Sequence, residues 1–509
     1  MWGGPPGPRG SPWTRCSVKG SIPWRAPEAG QGAGRGRGRP PYQERLIRVV
    51  IIGGGISGLS AAYYLAKGGA ASTIVESRPR LGGVIRTERV EGCTIEAGPD
   101  SFLSAKPAAF ELLRDLGLAD QVIGSNDQLR VTYVRKGGRL VALPDGLMMM
   151  VPTRILPLLR TPLVGLGTKL RMGLELLRAP RPEAGDRSVA QFIEEHYGRE
   201  AVDYLAEPLL SGVYGGNPSE LSVSSVLPRF VELANQYGSL TRGVLAERAR
   251  AARARSNQPP PPLFRTLRGG LGQMVDAIEA AIRPTVEVRH ARAEAVERTG
   301  AGFRIRLAGD WLEAGRLVMA CEAHSAAALL SGVDPRLAEL LGTVPYSSSM
   351  TVAVGYDARD FARLPRGFGF LVPRKERRRL VACTWVGTKF SHRVPADKVI
   401  ARCFLGGSGD AAVLDESDEA VVAMVTDELR EIAQVTAPAR FHRVFRWPRS
   451  MAQYTVGHPA RLREMEERAA SVAGLYLAGN AYEGIGIPDC IRMGRAALEK
   501  ILAGRSPAL

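Results

Sequence analysis

The feature that most constrains the fold is a glycine-rich turn, Gly53–Gly58, with the sequence Gly-Gly-Gly-Ile-Ser-Gly. The apolar run Ile47–Ile52 precedes this turn, and Leu59–Ala66 follows it with the spacing of a helix. A second short strand is predicted over Ser72–Val75, and Glu76 closes it. Strand, G-x-G-x-x-G turn, helix, strand and acidic residue follow one another in the order that a dinucleotide-binding unit requires. The chain is therefore predicted to contain a Rossmann-like nucleotide site.

Three glycines of this turn have an expected task. Gly53 permits the tight turn, Gly55 lets the backbone approach a pyrophosphate, and Gly58 lets the helix pack close to the strand. The free N–H groups and the positive dipole end of the helix N-terminus then face the phosphates. Glu76 is expected to accept hydrogen bonds from the ribose hydroxyls of an adenosine.

The segment after Glu76 favours FAD over NAD. It contains a second glycine turn, Ser77–Gly83, followed by Ile95–Asp100. NAD sites rarely carry a second glycine turn so close behind the acidic residue. The arrangement resembles the FAD-binding start of the flavin amine oxidase superfamily, in which an arginine, here Arg80, and a Gly-Gly pair wrap the pyrophosphate from the other side. An ordinary surface turn is the alternative.

Composition limits the class of protein. The 509 residues, 45% of them hydrophobic, are enough for a sizeable core and two or more domains. The cysteines form no C-x-x-C pair and no ligand cluster with the histidines, so we expect reduced thiols, a cytosolic compartment and no metal site. These cysteines are Cys16, Cys93, Cys321, Cys383, Cys403 and Cys490. No apolar run reaches the roughly 18 residues of a transmembrane helix.

The N-terminal segment is basic and has an unusual composition. Residues 1–46 are rich in Gly, Pro and Arg. Such a composition cannot bury a core, so this tail is predicted to be disordered; a transit peptide and a mis-called start codon are alternatives. The net charge of +17 indicates an anionic substrate, a membrane surface or nucleic acid, and does not choose among them.

The segment 146–174 combines many Leu and Met residues with cations and contains no Asp or Glu. Its cations are Arg154, Arg160, Lys169 and Arg171. Three prolines are expected to divide it into short helices. One interpretation is a buried helical subdomain whose cations extend to solvent. The others are an interfacial patch on anionic lipid and the lid of an apolar pocket.

The order of elements predicts an α/β fold. A discontinuous Rossmann-like FAD-binding domain is expected, with an α+β substrate domain and a helical insertion. The expected parts are the tail at 1–46, FAD-binding parts at 47–124, 246–335 and 466–509, substrate-domain parts at 125–145, 201–245 and 336–465, and a helical lid or membrane-facing insertion at 146–200.

The C-terminal segment Leu477–Ile491, with the sequence Leu-Ala-Gly-Asn-Ala-Tyr-Glu-Gly-Ile-Gly-Ile-Pro-Asp-Cys-Ile, closely resembles the terminal FAD motif of oxygen-dependent porphyrinogen oxidases. Further matches are Gly98–Leu103, Tyr214–Pro218, Gly367–Pro373 and the segment from Trp447 to Tyr454. The resemblance covers about residues 47–504. Gly98–Leu103 looks like the bacterial branch, whose members oxidise coproporphyrinogen III or protoporphyrinogen IX.

The resemblance implies a non-covalent FAD. In some flavin amine oxidases a cysteine before an aromatic residue tethers the flavin, whereas here Gln453 precedes Tyr454. Gly98, Pro99 and Asp100 should lie beside the isoalloxazine. The full set of expected cofactor-binding residues is Gly53, Gly54, Gly55, Ile56, Ser57, Gly58, Glu76, Ser77, Arg80, Gly83, Gly98, Pro99, Asp100, Ala293, Asn480, Ile485, Gly486 and Ile487.

The resemblance also implies substrate-binding residues. Arg130, in a predicted strand over Leu129–Val134, matches an arginine that binds a substrate propionate; a strand-surface cation is the alternative. Phe368 and Leu371 match apolar residues that clamp the macrocycle. Gly212 matches a backbone carbonyl near the pyrrole N–H groups, and Lys106 is a candidate for a second propionate.

The implied reaction is oxidation of a porphyrinogen in heme biosynthesis. Hydride leaves a meso carbon for the flavin, a proton leaves a pyrrole nitrogen, and three rounds give the porphyrin, with O₂ reduced to H₂O₂. The cofactor carries this chemistry, so no catalytic side chain is expected. The expected location is the cytoplasm. Contact with the inner face of the membrane through 146–174, and a homodimer, are left open.

Three other functions are alternatives to this one. A flavin amine oxidase would prefer an aromatic cage with few cations, and a carotenoid desaturase needs no cations for propionates. A nucleic-acid-binding protein could use the Arg-rich tail and the helix containing Arg248–Arg255, but no recognised nucleic-acid fold accompanies them. Nucleic acid is therefore not expected as a partner.

Overall fold

The computed structural model describes residues 48–180, 185–254, 261–361 and 364–503, so the predicted tail at 1–46 lies outside the described residues. The strands are β1 Val49–Ile52, β2 Ser72–Glu76, β3 Thr87–Val90, β4 Cys93–Glu96, β5 Phe102–Leu103, β6 Val122–Gly124, β7 Thr132–Lys136, β8 Arg139–Ala142, β9 Leu147–Met148, β10 Val151–Pro152, β11 Phe264–Leu267, β12 Val286–His290, β13 Ala293–Thr299, β14 Gly302–Leu307, β15 Asp310–Ala314, β16 Arg316–Met319, β17 Tyr346–Asp357, β18 Gly369–Leu371, β19 Ala382–Trp385, β20 Lys398–Gly406, β21 Phe441–Ala452 and β22 Leu475–Leu477.

The helices alternate with these strands along the chain. They are α1 Ile56–Lys67, α2 Ala108–Asp115, α3 Ile155–Arg160, α4 Leu166–Leu174, α5 Val189–Tyr197, α6 Arg199–Ala201, α7 Glu207–Tyr214, α8 Val223–Val226, α9 Pro228–Tyr237, α10 Leu240–Ala254, α11 Gly272–Ile282, α12 Ala323–Leu330, α13 Pro335–Gly342, α14 Val386–Lys389, α15 Asp418–Ala433, α16 His458–Ser471 and α17 Ile487–Ala503. In the part of the chain that the structure describes, none of them is long and apolar enough to cross a membrane.

A five-stranded parallel sheet forms the nucleotide-binding part, with the strand order β12-β2-β1-β16-β22. All four residues of β1 are buried, as expected for a parallel strand that is covered on both faces. Helices α1 and α17 pack together so closely that a Cβ on Gly494 would overlap the carbonyl oxygen of Ser57. The strands come from the beginning, the middle and the end of the chain, and the predicted α/β fold is confirmed.

A seven-stranded mixed sheet forms the second layer, with the order β21-β17-β20-β19-β18-β7-β8. Its neighbours are antiparallel except for β18 and β7. The long strand β17 lies inside the sheet and contributes Val352, Val354 and Tyr356 to a core that also contains Val425 of α15. This sheet faces the nucleotide-binding sheet across the cavity described below.

Helices α3 to α10 lie between the hairpin β7–β8 and strand β11. The expected helical insertion at 146–200 begins with the short ribbon β9–β10, because Pro152 pairs in an edge strand rather than starting a helix. The expected boundary at 245/246 falls inside α10, which packs against α9. Arg130 was expected on a strand. It precedes β7, which begins at Thr132, because Asp127–Leu129 form a tight helical turn.

Candidate active site

A cavity of about 1210 Å³ runs along the carboxyl ends of β1, β2 and β16 and continues between α7 and the seven-stranded sheet. Ligands of open parallel sheets bind beyond these strand ends, where the strand order reverses. Here the order reverses at β1. A pocket for one ligand commonly has about 300–1,000 Å³. The volume therefore suits a large cofactor and a substrate side by side.

The glycine turn after β1 has the geometry of a phosphate-binding turn. Gly53 has φ +108°, and a Cβ on it would lie 2.6 Å from the carbonyl oxygen of Ala320. A Cβ on Gly58 would overlap the carbonyl oxygen of Gly53. A Cβ on Gly55, in contrast, would meet no atom within 4 Å, because Gly55 faces the cavity. Two glycines therefore serve packing and the third keeps space open for a ligand.

Free donors surround this space. Helix α1 has no side-chain cap, and its first N–H groups, from Ile56 to Gly58, have no acceptor among the described residues. Such groups with the helix dipole bind anions. Glu76 lines the cavity, and its carboxylate accepts hydrogen bonds from the backbone N–H of Gly54 at 2.7 Å and of Arg78 at 2.8 Å. An anion site and an acidic residue thus lie together, as a dinucleotide requires.

The C-terminal motif supplies the opposite wall of this region. Ile485, Gly486 and Ile487 line the cavity where α17 begins. Asn480 also lines it, with its Nδ2 donating to the carbonyl oxygen of Ser450 at 2.9 Å. Ala293 lines it from the start of β13. The beginning and end of the chain therefore meet at one site, and these residues fit a bound dinucleotide.

A buried cluster of charges lies beside the segment Gly98–Asp100. The Lys389 ammonium donates to both carboxylate oxygens of Asp100 at 3.0 Å, and Arg402 lies 3.8 Å from the same carboxylate. Deeper in the protein, Arg393 donates to Glu96 at 2.9 Å, and both of these side chains are 1% exposed. Lys389, Arg402 and Asp100 line the cavity. With all five groups ionised, the cluster carries one net positive charge.

The pKa values of this cluster follow from burial and pairing. Burial opposes ionisation of Asp100, but the charges of Lys389, Arg402 and Arg393 outweigh it and hold the pKa of Asp100 well below its usual range. Burial lowers the pKa of Lys389, although the Asp100 charge opposes that shift. Asp100 is therefore ionised at neutral pH, and its charge supports the protonated form of Lys389.

The second compartment of the cavity is a slot between α7 and β18. Leu209, Gly212 and Val213 line it from α7, at the spacing of one helix face. Phe368 and Leu371 line it from the other side. A Cβ on Gly212 would lie 3.4 Å from Leu371 Cδ2, so the slot is narrow at this point. A narrow apolar slot suits a flat ligand.

One end of the slot opens to solvent and carries cations. Val213 is 59% exposed, and Arg374 is exposed while lining the cavity. Arg377 also lines it, and donates to the Glu207 carboxylate at 2.9 Å and to the hydroxyl of Ser211 at 3.3 Å. The open end is therefore positively charged, while the middle of the slot is apolar.

The structure brings most of the predicted site residues to the cavity. Those that line it are Gly53, Gly55, Ile56, Ser57, Glu76, Ser77, Gly83, Gly98, Pro99, Asp100, Ala293, Asn480, Ile485, Gly486, Ile487, Gly212, Phe368 and Leu371. Five do not line it: Gly54, Gly58, Arg80, Arg130 and Lys106.

Local contacts explain why the three predicted cofactor residues among these five do not line the cavity. Gly54 and Gly58 are packing positions, since a Cβ on Gly54 would overlap the Leu81 side chain and one on Gly58 would overlap backbone. Arg80 donates to the carbonyl oxygens of Leu81 at 3.0 Å and Ile85 at 3.1 Å, so it holds the second glycine turn from behind. Arg78, two residues earlier, lines the cavity instead.

The two substrate cations predicted outside the motifs also lie away from the lining. Lys106 forms an ion pair with Asp489 in the first turn of α17, at 2.6 Å. Arg130 is exposed, and no described residue pairs with it. It stands two residues before Thr132, which lines the cavity.

Sequence reasoning missed Lys389, Arg402 and Arg374. Arg402 had a detectable signal, because it interrupts the apolar interior of strand β20, where an unpaired charge would be costly. Arg374 had none, because it stands in a run of similar cations at 374–379.

A nucleotide site that opens directly into a second, substrate-sized compartment defines a cofactor-dependent oxidoreductase, in which the protein holds the reactive ring of the cofactor against the substrate. The family model of flavin containing amine oxidoreductases matches residues 56–502. The chain belongs to this family, and flavin is its cofactor.

Particular relatives narrow the comparison. The coproporphyrinogen III oxidase of Bacillus subtilis (strain 168) is 33% identical over 462 residues, which cover 89% of this chain and 97% of the relative. The coproporphyrinogen III oxidase of Staphylococcus aureus (strain NCTC 8325 / PS 47) is 31% identical and covers 89% of this chain and 99% of the relative. A crystal structure from Exiguobacterium sp. 255-15, provisionally named a protoporphyrinogen oxidase, has a TM-score of 0.81 and 29% identity, over 90% of this chain and 99% of that one. The predicted resemblance is confirmed.

Proposed function

We propose that the chain is an FAD- and O₂-dependent porphyrinogen oxidase of heme biosynthesis, with coproporphyrinogen III as its better substrate. The names of the relatives support this assignment. The structural observation that carries it is the narrow apolar slot between α7 and β18, with cations at its open end. A porphyrinogen needs these two features together, because it is a macrocycle with an apolar body and carboxylates on its rim.

The slot offers a suitable acceptor for pyrrole N–H groups. Gly212 lies in the last turn of α7, where the carbonyl oxygens have no N–H donor within the helix. No described residue donates a hydrogen bond to its carbonyl oxygen. The negative end of the helix dipole strengthens this oxygen as an acceptor. A macrocycle in the slot whose pyrrole N–H groups face Gly212 would satisfy it.

The residues that would hold FAD form two groups. The free N–H groups at the start of α1, with Gly55, would bind the pyrophosphate, and Glu76 would bind the adenosine ribose. The start of α17 and the segment Gly98–Asp100 would hold the flavin end. Bound FAD supplies the hydride acceptor and the route of electrons to O₂. The chain binds the substrate, orients its meso carbon and excludes water from the slot.

Non-covalent attachment is part of the proposal. The Gln453 amide donates to the Tyr214 carbonyl oxygen at 2.7 Å and lies away from the cavity lining. Burial raises the pKa of Cys490 to about 11 and that of Cys321 to about 12, and it raises the pKa of Cys383 well above its ordinary value. These three thiols line the cavity. At neutral pH they are protonated, and a protonated thiol is a poor nucleophile.

The charges of the cavity distinguish this function from the competing ones. The buried cations Lys389 and Arg402, with Arg374 and Arg377 at the open end, would repel a cationic amine. A carotenoid has no anionic group for them to bind. A porphyrinogen carries several propionates and is attracted by this positive charge, so the amine oxidase and desaturase alternatives are less well supported.

The surface of the insertion supports a peripheral membrane contact for a cytoplasmic protein. On α4 and the turn after it, Leu166, Leu170, Leu174 and Leu177 are 81%, 66%, 58% and 79% exposed. They recur at helical spacing and form one apolar stripe, which we call the leucine stripe. An exposed apolar stripe beside cations is typical of a contact with anionic lipid. The alternative is that a second copy of the chain packs on the leucine stripe and forms a homodimer.

Oxidation assays test the function directly. We expect purified protein reconstituted with FAD to convert colourless coproporphyrinogen III into fluorescent coproporphyrin III and to release H₂O₂, and to act more slowly on protoporphyrinogen IX. Acid precipitation should release all flavin into the supernatant. A protein that is saturated with FAD and oxidises neither porphyrinogen would refute the proposed function, while flavin left in the pellet would refute only non-covalent attachment.

A further inference from the structure

The open end of the slot carries a run of cations, Arg374–Arg379, with the sequence Arg-Lys-Glu-Arg-Arg-Arg. The run begins three residues after Leu371, which lines the slot. Its first turn is fixed to α7, because the backbone N–H of Arg374 donates to the Glu207 carboxylate at 2.9 Å. The Glu376 carboxylate accepts from the backbone N–H of Gly137 at 2.7 Å. The backbone that carries these side chains is therefore held in place.

Most cations of this run already have acidic partners. Lys375 pairs with Asp203 at 3.1 Å, and Arg377 pairs with Glu207 at 2.9 Å. Arg378 and Arg379 form ion pairs at 3.0 Å with Glu431 and Glu416. The Arg374 guanidinium is different. Within residues 374–379 it alone has no acidic partner, and it lines the cavity beside Gly409.

An unpaired guanidinium on a fixed turn is suited to bind a carboxylate. Its planar donors match the two carboxylate oxygens, and a charge-assisted pair is stronger than a neutral hydrogen bond. The flexible part is confined to one side chain, so little of the binding free energy is spent on ordering the backbone. We propose that Arg374 binds a propionate of the macrocycle at the mouth of the slot. This inference rests on the proposed function and assigns its propionate to a residue other than Arg130.

Binding of the oxidised product tests this role without turnover. Dissociation constants of coproporphyrin III and of its tetramethyl ester would be measured for the FAD-loaded protein by quenching of porphyrin fluorescence. We expect Arg374→Ala to weaken binding of the free acid by about tenfold to a hundredfold, the range of one lost charge-assisted hydrogen bond. Binding of the ester should not change, since the ester has no carboxylate. Arg374→Lys should restore part of the affinity.

Matched control variants distinguish a specific role of Arg374 from a general effect of positive charge. Arg378→Ala removes an arginine from the same run that pairs with Glu431 and does not line the cavity, so it should leave both dissociation constants unchanged. Arg130→Ala compares the arginine expected from the sequence with Arg374. FAD content should be normal in every variant. In turnover, Arg374→Ala should raise KM for coproporphyrinogen III more than it lowers kcat.

The outcomes are distinguishable. If Arg374→Ala weakens binding of the acid and of the ester equally, or weakens neither, the role of Arg374 is overturned while the proposed function is not affected. If Arg130→Ala weakens binding of the free acid and Arg374→Ala does not, Arg130 is the residue that binds the propionate. A wild-type protein that binds FAD but neither binds coproporphyrin III nor oxidises a porphyrinogen would instead overturn the proposed function. The Arg374 side chain makes no hydrogen bond to the described residues, so its truncation should not prevent folding, and Arg374→Gln provides a second test with a neutral polar side chain.

Discussion

At the scale of single residues, three of the four glycines of the first turn differ in what surrounds them. Gly58 and Gly53 face backbone atoms, whereas the space beside Gly55 is open, and Gly55 has φ −70°, which any residue adopts. A side chain introduced at Gly58 or Gly53 should therefore disturb the fold. The same side chain at Gly55 should instead disturb binding of the cofactor.

We expect Gly55→Val to give a colourless protein whose apo form is nearly as stable as wild type. Its side chain would occupy the space of the pyrophosphate, while loss of a glycine N-cap costs about 1 kcal/mol or less. Gly58→Val should destabilise the fold itself, by about 1–3 kcal/mol or more, because it forces backbone apart. Thermal unfolding of apo protein and the flavin absorbance of reconstituted protein measure both effects. Normal FAD content in Gly55→Val would contradict the predicted site.

At the scale of elements, helix α7 forms one wall of the slot, and Gly212 is the point at which the wall comes nearest to Leu371. We expect Gly212→Leu to leave FAD content unchanged and to lower kcat/KM for porphyrinogens by about tenfold or more, which corresponds to about 1.4 kcal/mol. Helix stability should not fall, because leucine is the better helix former. Gly167→Leu, in α4 with open space around it, is the control. Equal kinetics in the two variants would exclude the slot as the substrate site.

A second element-scale prediction concerns a buried pair in the insertion. His196 Nδ1 lies 2.9 Å from the Glu175 carboxylate, and the side chains are 2% and 1% exposed. The same carboxylate accepts from the Ser239 hydroxyl at 2.7 Å and from the Leu240 N–H at 2.6 Å. Burial lowers the pKa of His196, although Glu175 opposes the shift. The imidazole is therefore neutral in the native protein at neutral pH and donates through Nδ1.

Acidification should loosen this part of the protein. Below the unfolded histidine pKa of about 6.5, the unfolded chain binds a proton that native His196 does not, so stability falls as pH decreases from 6.5 towards the lowered native pKa. We expect the melting temperature to fall more between pH 7.5 and about 5.5 in wild type than in His196→Asn, which retains an N–H donor without titrating. The exposed His442→Asn serves as the control. Identical pH dependence in wild type and His196→Asn would disprove the assignment.

At the scale of the whole molecule, the leucine stripe is a large exposed apolar feature of the surface. If it contacts lipid, wild type should bind anionic vesicles more tightly than neutral ones and release them at high salt. Leu166→Glu with Leu170→Glu should abolish this binding, since each buried leucine contributes about 1.5–3 kcal/mol. Leu364→Glu, at an exposed leucine elsewhere, should not. Equal binding to both vesicle types, or none, would exclude the lipid contact, and a concentration-dependent dimer in sedimentation would assign the stripe to a second copy.

Much of the nucleotide site was predictable because its signals are local. The glycine turn, the helix after it and Glu76 lie within one stretch of chain, and their spacing alone describes a strand, a turn and a helix end. The C-terminal motif was found in the same way. Arg130 was placed less well, since the sequence alternates before β7 although the strand begins only at Thr132.

The sequence by itself determined the class of fold, the glycine turn and the apolar segments, because backbone conformation and hydrophobic periodicity depend on residues a few positions apart. Only the tertiary structure decided which charges meet. Lys389 and Asp100 pair across 289 positions of the chain, and Arg374 differs from its neighbours because no carboxylate among the described residues pairs with its guanidinium. Charge pairing depends on distances and burial that arise when separate elements pack, and a pattern along the chain does not contain them.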